Sequence, residues 1–90
     1  MYYSDAQIKD IILRQLYMED KPMLVVRQIF KHYEITIELK RAEGILRLLE
    51  ARDLIYVQTK HQDWQIGLLD GGAIFCEITS FQNLKRPIIS

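Results

Sequence analysis

Lys40, Arg41, Gly44 and Arg47 lie close together in the middle of the chain. On a helix, where successive residues turn by about 100°, Lys40, Gly44 and Arg47 share one side with Ala51, and Arg41 and Glu43 flank them. Two cations separated by a residue without a side chain suit close approach to a DNA groove, where lysine and arginine donate to guanine edges or to phosphates. The plainer account is that an exposed helix face is usually charged, and that Gly44 equally permits close packing of another helix, at about 1 kcal/mol of helix propensity relative to alanine. Lys60 and His61 sit in a short polar stretch that could touch a nucleic-acid backbone, and Arg27 and Lys31 are weaker candidates for phosphate contact. Against them stand Glu38 and Glu43, whose carboxylates are repelled by phosphate.

No residues converge in the pattern a reaction needs. Cys76 follows Ala73-Ile74-Phe75 in an apolar run and reads as a small core residue rather than a nucleophile. His32 and His61 are far apart and lack a spaced second ligand, so no metal site is expected. Gly71-Gly72 alone does not make a phosphate loop, and Glu19-Asp20 reads as a solvated helix end. The chain is therefore expected to be no enzyme and to need no cofactor.

The elements that must position these residues follow from periodicity. Ser4 and Gln7 form a capping box before Ile8, Ile11, Ile12 and Leu16, so a first helix is expected over 5–18, with Lys9, Asp10 and Arg14 on its other side. Pro22 closes that segment. Val26, Ile29, Phe30 and Tyr33 form one stripe of a second helix over 24–33, and Met23 before it could make a strand-like contact. Thr36 is read as N-cap of a third helix over 37–52 that buries Ala42, Ile45, Leu46 and Leu49. At Leu54 the period changes. Residues 54–59 and the alternation of Trp64, Ile66 and Leu68 predict a hairpin around the loop 60–63. Trp64 is expected in the core beneath it. Asp70 then caps a short last helix, 71–77, whose first turn Gly71 and Gly72 weaken. Residues 79–90 have no periodicity and are read as an extended tail.

Composition is that of one globular domain: 90 residues, 49% hydrophobic and 27% charged, with no net charge. Residues 21–60 carry eight Lys or Arg against five Asp or Glu, so the basic excess sits in the middle. An isoelectric point near 6.7 counts against strong nucleic-acid binding by a monomer. No apolar run approaches the roughly 20 residues of a membrane span. A single cysteine and a start without a cationic-apolar leader imply a reducing, cytoplasmic setting.

Two segments carry a resemblance. Ile45-Leu46-Arg47-Leu48-Leu49-Glu50-Ala51-Arg52-Asp53-Leu54-Ile55 looks like the end of the recognition helix and the start of the wing in small bacterial winged helix-turn-helix transcription regulators. Asp53 stands where glycine is common there; aspartate tolerates left-handed backbone better than most residues. Leu68-Leu69-Asp70-Gly71-Gly72-Ala73 resembles the strand-to-helix junction after the wing, with Leu69 where threonine is usual. The resemblance covers about residues 5–78. It implies an α+β, mostly helical fold: a three-helix core, a two-stranded β-hairpin wing and a short C-terminal helix in a domain over 1–78. It further implies double-stranded DNA as partner, read in the major groove by the helix over 37–52 and on the backbone by the wing at 60–63.

Helix 1 and the termini commonly form the dimer interface in such regulators. Tyr2, Tyr3, Phe81, Leu84, Ile88 and Ile89 need apolar cover, either against this domain or against another copy, and the second case gives a homodimer through helix 1 and the termini. The alternative is a winged helix that binds another protein through Leu48 and Ile88-Ile89 without appreciable DNA affinity. Nothing in the sequence marks a ligand pocket.

Overall fold

The computed structural model describes residues 3–19, 21–60 and 63–78. Four helices and three short strands follow one another as α1 (Asp5–Met18), β1 (Leu24–Val25), α2 (Val26–His32), α3 (Leu39–Ala51), β2 (Ile55–Lys60), β3 (Asp63–Leu68) and α4 (Asp70–Ile78). The fold class is α+β, mostly helical, with one antiparallel sheet. Tyr2, Asp20, His61 and the tail over 79–90 lie outside the described residues.

α1 starts as its sequence dictates. The Ser4 hydroxyl accepts from the Gln7 amide at 3.1 Å, and the Gln7 side chain accepts from the Ser4 amide at 2.8 Å, so two orphan donors of the first turn are satisfied. Ile8, Ile12, Leu13 and Leu16 are buried. Asp10, expected on the solvent side, is instead only 4% exposed. It lies towards α4, close enough that its charge acts on the Cys76 thiol, because α4 packs along α1 and covers a side that periodicity alone assigns to water. Among the described residues no buried side-chain polar atom lacks a hydrogen-bond partner.

Both α2 and α3 end in the same left-handed cap. Glu34 has φ 55° and Asp53 φ 59°. After each, two amides fold back onto the last turn: Glu34 N to Lys31 O and Ile35 N to Phe30 O after α2, and Asp53 N to Glu50 O and Leu54 N to Leu49 O after α3. These bonds satisfy carbonyls that a helix end would leave orphaned, and each buries an apolar residue, Ile35 or Leu54, against the helix it follows. Asp53 thus occupies the backbone state that glycine usually supplies.

The sheet corrects two expectations. It has three strands in the order β1-β3-β2, not two, because Leu24 pairs with Ile66 and Val25 with Gln65. α2 therefore begins at Val26 rather than 24: the backbone of Leu24–Val25 is used by β3. α3 begins at Leu39 rather than 37, with Glu38 as its N-cap and no side-chain cap bond. Thr36 is exposed and caps nothing, because the segment before the helix stays extended to bury Ile35 and half-bury Ile37. In the hairpin, Ile55 to Lys60 pair with Leu68 to Asp63 in unbroken register. A Cβ at Gly67 would meet the Tyr56 ring. With that space free, the ring lies across the sheet and its hydroxyl donates to the Pro22 carbonyl at 2.8 Å, tying the sheet to the loop after α1.

The core is Ile8, Ile12 and Leu13 of α1, Val26 and Ile29 of α2, Ile45, Leu46 and Leu49 of α3, and Ile55 and Ile66 of the sheet. α4 is held against this body by backbone proximity. Leu69 N donates to Leu54 O at 3.0 Å, and a Cβ at Gly72 would collide with that same carbonyl. The glycines that weaken the helix on propensity grounds are what let it approach. Asp70 stands in the first turn of α4, where its carboxylate faces the positive end of the helix dipole.

Candidate nucleic-acid interface

α3 buries Ala42, Ile45, Leu46 and Leu49 as its period predicts, and this fixes what it exposes. Lys40, Gly44, Arg47 and Ala51 lie on the open side, with Glu43 and Leu48 beside them. A Cβ built on Gly44 would meet nothing within 4 Å. Among the described residues Gly44 therefore serves no close helix packing, and the space beside it is open. Lys40 and Arg47 are seven residues apart, about 10 Å along the axis.

The cations differ in what already holds them. Arg41 is turned towards α1: its Nε donates to Asp5 Oδ1 at 2.7 Å and its Nη2 to the Tyr3 carbonyl at 3.3 Å, so it staples α3 to the start of α1. Arg47 Nη1 donates to Glu50 Oε1 at 2.9 Å, one turn on along the same helix. Arg27 on α2 reaches Asp63 Oδ2 at the hairpin end at 3.3 Å. All three pairs are exposed. Pairs of this kind are worth about 0–1 kcal/mol, little enough for phosphate to displace. Lys31 and Lys40 are exposed and make no ion pair among the described residues. Of Lys60 the backbone is placed, paired with Asp63; His61 lies outside the described residues.

Beside this face runs a groove that the sequence does not announce. It has a volume of about 630 Å³ and is lined by Val26 and Phe30 of α2, Ile37, Leu39 and Ala42 at the start of α3, and Trp64 of β3. The Arg27–Asp63 pair stands at its edge. Trp64 is half-buried and lines this groove as well as packing on the core. Leu39 falls on the same helical stripe as Ala42, Leu46 and Leu49 and so reads as core, yet it is 74% exposed. It stands at the open side of this groove, while Ala42 in the same turn is buried. A second apolar surface, with Tyr17 and Met18 at the end of α1 and Ile74 and Ile78 on α4, is also exposed. Tyr17 donates to Glu77 across it at 3.0 Å, and this bond to a carboxylate raises the phenol's pKa.

Among the described residues no three His, Cys, Asp or Glu side chains come together as metal ligands. The Cys76 thiol is pushed up, chiefly by burial. His32 is exposed and sets its ring edge-on to Tyr33 at 4.9 Å. No helix of the described residues is long and apolar enough to cross a membrane. Comparison with protein-family models, with curated proteins and with solved structures finds no match to this chain.

Proposed function

We propose that this chain is a winged helix-turn-helix domain that binds duplex DNA as a cytoplasmic transcription regulator. α3 would enter the major groove and the β2–β3 loop would lie on the flanking backbone. The element order, three helices followed by a hairpin and a short helix, supports the fold reading. The observation that carries the functional one is the stripe Lys40, Gly44, Arg47: two exposed cations on either side of a helix position with open space around it. Arg27 and Lys31 on α2 would contact phosphates, and Arg41 is better employed in holding α3 to α1. We assign no reaction to the chain.

A neutral chain binds DNA weakly as one copy, so the reading includes a homodimer, which doubles the basic stripe. Tyr17, Met18, Ile74 and Ile78 offer it an apolar face on α1 and α4. The test is binding to random-sequence duplex across a salt series, with mass determined in the same buffer. Each phosphate contact lowers the logarithmic salt slope by about 0.9. Lys40→Ala with Arg47→Ala should therefore weaken binding and flatten the slope by up to about 2. A double variant that binds as the parent does refutes this docking. One specific observation favours a second reading, a protein-interaction module without DNA affinity: the apolar groove beside α3. Absence of DNA binding even at about 50 mM salt, where phosphate contacts are strong, moves the function there.

A further inference from the structure

We propose that residues 79–90 of this chain dock, within the same copy, on the exposed apolar face of α1 and α4. Six large apolar side chains stay exposed among the described residues, and four of them, Tyr17, Met18, Ile74 and Ile78, stand here. Ile74 and Ile78 are one turn apart on α4 and so share a side. Tyr17 donates to Glu77 at 3.0 Å, which joins the end of α1 to that helix. The docking segment begins at the residue after Ile78 and carries Phe81, Leu84, Ile88 and Ile89. Residues 79–89 reach up to about 40 Å when extended. α1, with 14 residues, is only about 21 Å long, so the whole face is within range.

Charge selects this face over the others. Residues 79–90 contain Lys85 and Arg86 and no Asp or Glu. The two segments that build the face, 4–20 and 70–78, carry six Asp or Glu against two Lys or Arg. Residues 21–69, which build α2, α3 and the hairpin, carry eight Lys or Arg against six Asp or Glu. A cationic segment is therefore drawn to α1 and α4 and repelled by the remainder of the domain. The groove beside α3 offers no such preference, because its charged lining residues, Arg27 and Asp63, pair with each other.

Within the face the acids differ. Asp5 is held by Arg41, Asp10 is buried, and Asp70 stands in the first turn of α4. Glu19, directly after α1, and Glu77 adjoin the apolar patch. Each accepts one hydrogen bond, from Gln15 and from Tyr17, and a carboxylate has further acceptor sites. They are the groups that Lys85 and Arg86 meet. Arg14 is the opposing cation on this side, exposed and close enough to α4 for its charge to act on Cys76.

Attachment at Ile78 gives the segment an effective concentration in the millimolar range, which favours its own copy over a neighbour. Once docked, it occupies the face that joins two copies in the homodimer reading, so segment and second copy exclude each other. That consequence rests on the homodimer reading; the docking itself does not.

The test is paramagnetic broadening in the full chain. A nitroxide is attached to Ser90→Cys in a Cys76→Ala background, and amide signals are compared with those after the label is reduced. The expected result is broadening over 14–18 of α1, with none over 40–47 of α3. The α1 signals decide, because the tether itself brings the label towards Ile78. Lys85→Glu with Arg86→Glu should restore them. A mixture of nitroxide-bearing chain and isotope-enriched chain without the nitroxide should show no broadening. A second measurement avoids Cys76→Ala: in the otherwise unaltered chain the same charge reversal should shift the amides of 14–18 and leave those of 40–47 in place.

The proposal is overturned if α1 stays sharp, if α3 broadens equally, or if charge reversal changes neither broadening nor shifts. Broadening in the mixed sample also overturns it, since the segment then belongs to another copy. Mass determined on the same samples separates the two failures. A dimeric parent with sharp α1 signals removes the docking and leaves the homodimer. A broadened parent whose charge-reversed form stays monomeric keeps the docking and removes this face as the dimer interface.

Discussion

The same chemical change, glycine to alanine, should have opposite effects at two positions of this chain. Gly72 is buried in the first turn of α4. A Cβ there would collide with the Leu54 carbonyl oxygen and press on Leu68 Cδ1. Leu68 can swing aside, but the carbonyl cannot, because it also accepts the Leu69 amide at 3.0 Å. α4 must therefore move. Overfilling a packed contact costs about 1–3 kcal/mol, and weakening that hydrogen bond about 1 kcal/mol more. Up to about 1 kcal/mol of helix propensity is recovered. The net loss for Gly72→Ala is then about 2 kcal/mol, which in a domain of this size lowers Tm by roughly 10 °C.

Gly44 lies mid-helix with open space around it, so Gly44→Ala should gain about 1 kcal/mol and raise Tm by roughly 4–8 °C. Thermal and urea unfolding, followed by helical circular dichroism and Trp64 emission, would measure both. Shifts of the same sign, or a Gly72→Ala protein as stable as its parent, would refute the account of how α4 is held.

Further expectations follow from the caps, the thiol and the open face of α3. Left-handed backbone strains a residue with a side chain, and aspartate tolerates it better than glutamate. Glu34→Gly should accordingly stabilise by up to about 1 kcal/mol and Asp53→Gly by less; the reverse order in urea unfolding would contradict the cap geometry. Burial holds the Cys76 thiol neutral, so iodoacetamide should modify it more slowly at pH 8 than it modifies free cysteine. Because its folded pKa is raised, its contribution to stability is full below the unfolded value of about 8.5 and is lost as pH rises through the folded value. Cys76→Ala should flatten that alkaline loss in a Tm series from neutral to alkaline pH, and an unchanged series would show that the thiol titrates alike in both states. Gly44→Leu, like Gly44→Ala, should raise Tm while weakening DNA binding in the salt series. DNA affinity equal to the parent's would place the contact elsewhere than this helix face.

What the sequence determined by itself was local. The Ser4–Gln7 capping box and the span of α1 depend on residues within one turn of each other. The buried face of α3 follows from its 3.6-residue period, and the register of the hairpin from its alternation. The left-handed turn at Asp53 was legible too, because few residue types accept that backbone state. The Lys40–Gly44–Arg47 stripe could be drawn from spacing, since a helix that buries one side must expose the other.

Only the tertiary structure decided the remainder, and each case has the same cause: the covering or uncovering partner is distant in sequence. Leu24–Val25 became a strand because β3, some forty residues later, offered its edge. Asp10 was buried because α4 came to lie on α1, and Arg41 was turned aside by Asp5. Leu39 kept the pattern of a core residue but lies at the open side of the groove between α2, α3 and β3. Periodicity says which side of an element is apolar. Whether anything lies against that side depends on the three-dimensional arrangement, and the groove at α3 is where the two part company.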